Sequence, residues 1–152
     1  MRADETGPIR TCNCRQGLAS CPLDGKCLTS DVVYKAEVTT EDDTKFYIGS
    51  CSTTFKERYG DHKMSCNNPN YKNKTELSTY IWQLKDKKID FNIKWKIINL
   101  ANSYKKGSYC CNLCLAEKYF IIKADRKTIL NNWESMIKCL HRSKFKLKNY
   151  VT

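Results

Sequence analysis

Apolar and polar positions along the chain follow two alternating periods. Val32-Val33-Tyr34-Lys35-Ala36-Glu37-Val38 is β-branched and aromatic, and it reads as a strand. Lys45-Phe46-Tyr47-Ile48-Gly49 reads as a second strand, and the polar, acidic stretch from Thr39 to Thr44 joins the two as a hairpin. Ser52, Thr53 or Thr54 offers an N-cap for a helix running to about Cys66, which Asn67-Asn68-Pro69-Asn70 ends. From Thr75 onward, Leu77, Tyr80, Ile81 and Leu84 recur at helical spacing. Phe91, Ile93, Trp95 and Ile97 alternate with polar residues as a half-buried strand does. After a loop containing Gly107, residues 112–125 read as a third helix and residues 133–140 as a short fourth. The order β-β-α-α-β-α predicts an α+β domain with a small, mostly antiparallel three-stranded sheet flanked by helices.

A chain of 152 residues that is 41% hydrophobic and 11% aromatic can build one domain with a real core, or one domain with a small appendage. No apolar run approaches the ~20 residues of a membrane span, and no apolar leader opens the chain, so neither a membrane nor a secreted protein is expected. The ten cysteines are then better read as zinc ligands than as disulfide partners. With a formal net charge of +11, they make nucleic acid the leading partner. A basic surface that serves only solubility is the bland alternative. Composition divides the chain into a cysteine-rich segment (1–30), a regular core (31–132) and a basic extension (133–152). The extension carries five basic residues against one acidic and is densest between Lys138 and Lys148.

Four constellations could carry chemistry. Cys12, Cys14, Cys21 and Cys27 have the number and closeness of a tetrahedral zinc site, which would give an otherwise coreless segment its fold. A second set joins Cys111 and Cys114 to Cys139 and His141, with Cys110 able to replace Cys111. Buried free thiols are the alternative for both sets, and Cys51 and Cys66 read as core residues or as spare thiols. Arg58 and His62 lie four apart on one helix face, close in sequence to the strand bearing Tyr47. A cation and an imidazole so placed suit a phosphate, although such pairs are often merely solvated. Glu117 sits within the apolar stripe of Leu113, Phe120, Ile121 and Ala124, where a carboxylate must be paired with a cation, either a side chain or a divalent metal.

Taken in order, Val32-Val33-Tyr34, Phe46-Tyr47-Ile48-Gly49, Arg58, His62, Glu117 and Leu130-Asn131 resemble the core of GIY-YIG endonucleases over roughly residues 31–132. The second signature triplet is intact; the first keeps its tyrosine without the glycine. Other stretches look like the endonuclease region of Penelope-like retroelements. These are the Cys12-x-Cys14, Cys21-Pro22-Leu23 and Cys27 run, Thr75-Glu76-Leu77-Ser78, Ile81-Trp82, Cys111-Asn112-Leu113-Cys114-Leu115-x-Glu117-Lys118, and Cys139-x-His141-Arg142-x-Lys144-Phe145.

The resemblance implies a hydrolytic nick in DNA. Glu117 would bind Mg²⁺, and Arg58 would stabilise charge on phosphorus. Tyr34, or Tyr47 with His62, would activate water, and Asn131 (with Asn132 as an equally reachable neighbour) would help position the site. Zinc would be structural and magnesium catalytic. In such elements this region follows a reverse transcriptase, so the partners implied are DNA and a reverse transcriptase in cis or in trans. The chain itself would be a separated domain, a truncated copy or a host-retained remnant, in the nucleus. No feature of the sequence sets an oligomeric state.

Overall fold

The computed structural model describes residues 12–15, 20–101 and 111–131. The elements run β1 (Ser30–Thr39), β2 (Thr44–Thr54), α1 (Phe55–Asn67), α2 (Glu76–Asp86), β3 (Asn92–Leu100) and α3 (Asn112–Lys123), with a 3₁₀ turn at Pro69–Tyr71. This is the predicted α+β order, with a three-stranded antiparallel sheet and three helices. The strands lie β2-β1-β3, so β1 is central. The fourth helix expected over 133–140 lies outside the described residues.

A central strand covered on both faces explains the near-continuous apolar run of β1. Val32, Tyr34, Ala36 and Val38 point to one face, where they pack with Phe55 of α1 and Leu77, Ile81 and Leu84 of α2. Val33 points the other way, with Ile48, onto Leu113 and Ile121 of α3. Val32, which stands where the signature has glycine, has no exposed surface. β3 is an edge, so its side chains alternate between half-buried and exposed.

Helix α1 has no wide apolar stripe; its buried residues are Phe55, His62 and Ser65. Its start is fixed by chemistry at the N-terminus. Thr54 accepts from Glu57 N, while Phe55 N and Lys56 N donate to the carbonyls of Thr29 (2.9 Å) and Cys27 (2.7 Å). Three first-turn amides are thus satisfied, two of them by the cysteine-rich segment. Cys21, Leu23 and Cys27 belong to the same buried cluster as Tyr34 and Phe55. Trp82 Nε1 donates to Ser65 O at 2.8 Å and ties α2 to α1, and a Thr75–Ser78 capping box starts α2.

Gly60 lies mid-helix in α1, and a Cβ there would meet nothing within 4 Å. Gly60→Ala is therefore expected to stabilise the fold by about 0.5–1 kcal/mol, because alanine loses less conformational entropy in a helix. Urea unfolding checks this, and a destabilised variant would contradict the open space seen around the residue.

Candidate active site

Tyr34, on the central strand, faces α1. Its hydroxyl lies 2.7 Å from His62 Nε2 and accepts from Arg58 Nε at 3.3 Å. The helical spacing of Arg58 and His62 places both on this one oxygen. Tyr34 has no exposed surface and His62 is 2% exposed. Burial raises the Tyr34 phenol well above the usual tyrosine range against the pull of Arg58. Burial, helped by the charges of Arg58 and Lys74, lowers His62 to about 3. Burial opposes the Arg58 charge as well, but the Tyr34 oxygen outweighs it by charge and hydrogen bond, so the guanidinium stays protonated.

The folded state therefore holds His62 neutral, while the unfolded chain protonates it near pH ~6.5. Because the unfolded state binds the extra proton, this residue makes stability fall as pH drops from ~6.5 toward the folded value. The slope is at most about 1.4 kcal/mol per pH unit. Acid unfolding of the wild type and of His62→Gln tests this: the variant is expected to lose that part of the slope. An equal slope in both proteins would show that His62 is not held neutral.

Tyr47 lies on the same face of the sheet, 6% exposed, with its ring edge-to-face on His62 (centroids 5.6 Å apart). Burial raises it to about 12, opposed by Arg58. Gly49 is opposite Tyr34 across the β1–β2 pair. A Cβ at Gly49 would sit 2.5 Å from Cζ and 3.0 Å from Cε2 of the Tyr34 ring, and closer still to its hydroxyl. Only glycine leaves room for that ring.

Glu117 reaches the site from α3, on the opposite face of the sheet. Ser50, which shares the parity of Ile48 along β2, donates its hydroxyl to the Glu117 carboxylate. Burial raises the Glu117 carboxyl; the Ser50 hydrogen bond and the charges of Arg58 and Lys118 oppose it, and Glu76 adds to it. The charge of Arg58 thus acts on Tyr34, Tyr47 and Glu117 alike. Asn131 is buried and brackets Ile48: its Oδ1 accepts from Ile48 N at 2.8 Å and its Nδ2 donates to Ile48 O at 2.6 Å. Phe46 N donates to Thr128 O (2.8 Å) and Leu130 N to Phe46 O (2.7 Å), so the segment up to Asn131 pins the outer edge of β2.

The Sγ atoms of Cys12, Cys14, Cys21 and Cys27 all lie within 4.8 Å of one another, and all four are free thiols that can together hold a metal ion. Cys14 and Cys27 are 3.8 Å apart, and tetrahedral sulfurs around a metal at about 2.3 Å are separated by roughly that distance. Consecutive left-handed residues, Asp24 (φ 52°) and Gly25 (φ 96°), turn the chain between Cys21 and Cys27. Burial would raise the Cys21 thiol, but amides of that turn, Leu23 and Gly25 foremost, bring it down to about 6. Burial pushes Cys27 up to about 12. Cys111 and Cys114 are buried at the start of α3, where Cys111 Sγ accepts from Cys114 N at 3.4 Å. Cys110, Cys139, His141 and Asn132, which the sequence reading adds to these sites, lie outside the described residues. Cys51 is buried and Cys66 packs against the core, as expected.

Among the described residues, the structure thus brings Tyr34, Tyr47, Arg58 and His62 together and links Glu117 to them through β2 and Arg58. The sequence reading missed Ser50, whose signal was its two-residue offset from Ile48. It also missed Lys74 and Glu76, whose contributions come from the way α2 starts beside α1. No protein-family model, curated protein or solved structure matches this chain.

Proposed function

We propose that this protein is a magnesium-dependent DNA endonuclease of the GIY-YIG type, hydrolysing one phosphodiester bond to leave a nick. The observation that carries the reading is the placement of Arg58. It is a protonated guanidinium, fixed by Tyr34 and acting on two phenols and a half-buried carboxylate. That arrangement suits charge developing on a phosphate oxygen during in-line attack.

Of the two phenols, Tyr47 keeps an exposed edge, so it is the one that can contact water; Tyr34 holds Arg58 and His62 in place. Tyr47, kept protonated by burial, orients the attacking water, whose proton passes to a non-bridging phosphate oxygen. The water oxygen bonds to phosphorus, the bond to the departing strand end breaks, and that alkoxide takes a proton from solvent. The Glu117 carboxylate beside the Ser50 hydroxyl is a hard oxygen pair, the donor type Mg²⁺ takes together with waters and substrate phosphate. Bound there, Mg²⁺ would supply Lewis acidity toward the phosphate and keep Glu117 ionised. In this reading the four-cysteine cluster holds structural zinc, the natural partner of a Cys₄ set. Biologically, such a nick would prime integration of a retroelement in the nucleus, with a reverse transcriptase in cis or in trans.

Supercoiled plasmid incubated with the zinc-loaded protein and Mg²⁺ is expected to become open circles. Glu117→Ala and Arg58→Ala should lose at least about 10²-fold while remaining folded. Efficient nicking by a folded Glu117→Ala protein would remove the metal assignment. A catalytically inactive, zinc-stabilised DNA-binding module is the second reading, favoured by the complete enclosure of Tyr34 and His62. DNA binding with no cleavage in any divalent metal would select it.

A further inference from the structure

A cleft of about 440 Å³ opens between the cysteine-rich segment and one side of α1. Arg15, Lys56 and Lys63 line it, with Ser20, Tyr59 and Gly60, and no acidic residue is among the described residues of its lining. Lys56, Gly60 and Lys63 fall at positions i, i+4 and i+7 of α1, one side of the helix, whereas Arg58 and His62 face Tyr34. The cleft is therefore separate from the candidate active site. Gly60 leaves its floor low: a Cβ there would meet nothing within 4 Å, so a backbone can approach the helix closely. Tyr59 is not an open platform for a base, because Phe55 stacks against it (5.9 Å) and Lys63 Nζ lies 5.6 Å from its ring centroid. Three cations without a free aromatic face form a site for phosphate and not for a base.

We infer that this cleft is a second DNA-backbone site, in which Arg15, Lys56 and Lys63 take phosphates remote from the bond being cut. The inference rests on the reading that DNA is the partner. It assigns the cysteine-rich segment a direct share of the grip. Lys56 also bonds Asn13 through its Nζ, which links the cation on α1 to the cysteine loop. A competing role exists for the same cations. Cys14 and Cys27 line the cleft too, and four thiolates around one divalent ion are negative overall, so the cations can instead offset that charge.

Equilibrium binding to a short duplex of arbitrary sequence, followed by fluorescence anisotropy across a salt series in magnesium-free buffer, separates these roles. Wild type is compared with Lys63→Gln, with Arg15→Gln/Lys63→Gln, and with Lys87→Gln at the far end of α2 as an equal loss of charge. The slope of log K against log salt is expected to fall by about 0.9 for Lys63→Gln and about twice that for the double variant. Lys87→Gln should keep the wild-type slope, and bound metal should be unchanged throughout. Wild-type slopes in the cleft variants would overturn the cleft alone and leave the endonuclease reading standing. Loss of metal from those variants with the slope retained would overturn it in favour of the charge-offset role. Absence of DNA binding by the wild type would overturn both the cleft and the reading beneath it.

Discussion

If the protein is the endonuclease proposed above, Cys27→Ser is expected to abolish nicking, although Cys27 lies outside the proposed active site. The residue has no exposed surface, its sulfur lies among those of Cys12, Cys14 and Cys21, and its carbonyl accepts from Lys56 N at 2.7 Å. One residue thus joins the four-cysteine cluster to the first turn of α1. Thr29 O does the same for Phe55 N, so α1 is oriented at its start by the segment that carries the four cysteines. Arg58 and His62 lie on the next turns of that helix. Structural zinc binding supplies about 10–16 kcal/mol in small domains, as much as or more than the ~5–15 kcal/mol stability of a whole protein. Losing a ligand should therefore release the segment around Cys21, Leu23 and Cys27 from the core and leave the first turn of α1 without its acceptors. The expected result is metal-free protein, nicking down by more than about 10²-fold, and a weakened near-ultraviolet dichroism signal from the packed Phe55, Tyr59 and Trp95 rings. Wild-type nicking by metal-free protein would show that α1 is positioned without the cluster.

The contrast between strands and sites shows what a sequence makes legible. The six elements come in the expected order, because each marker is local: a β-branched apolar run for β1, alternation for β3, threonine caps for α1 and α2, the Asn-Pro break after α1; β2 runs past its expected end at Gly49 to Thr54. Helix α1 is visible only through its cap and the break that ends it, since its buried face is built from Phe55, His62 and Ser65 and not from an aliphatic stripe. That absence was itself a signal: a helix that buries an imidazole is using it, here against Tyr34. The pairing of Tyr34 with His62, rather than Tyr47 with His62, depends on which strand is central. Strand order is a long-range property that no spacing encodes. The same holds for Ser50 and Glu117, which meet only because α3 packs on the opposite face from α1. The cysteine-rich segment, set apart by composition, shares one buried cluster with the sheet and α1, because its apolar Leu23 and Cys27 have nowhere else to be buried.

Gly49→Ala is expected to be severely damaging for the addition of a single methyl group. The added Cβ would fall 2.5 Å from Tyr34 Cζ, roughly an ångström inside ordinary contact, and the neighbour that must yield is a fully enclosed ring held by Arg58 and His62. The ring cannot retreat along the sheet, because Phe55 and Trp95 pack on it with centroids 5.3 and 6.0 Å away. Overpacking of this kind costs about 1–3 kcal/mol, and a displacement of about 1 Å at a reacting group costs on the order of 10² in rate. A second substitution separates the two effects. The closest approach of the new methyl is to the phenolic oxygen, so Tyr34→Phe in the Gly49→Ala background should recover part of the lost stability. It should recover none of the nicking, since the oxygen that anchors Arg58 and His62 is then gone. If nicking also returned in the double variant, Tyr34 would serve only to fill space, and the anchoring of Arg58 would have to come from another residue.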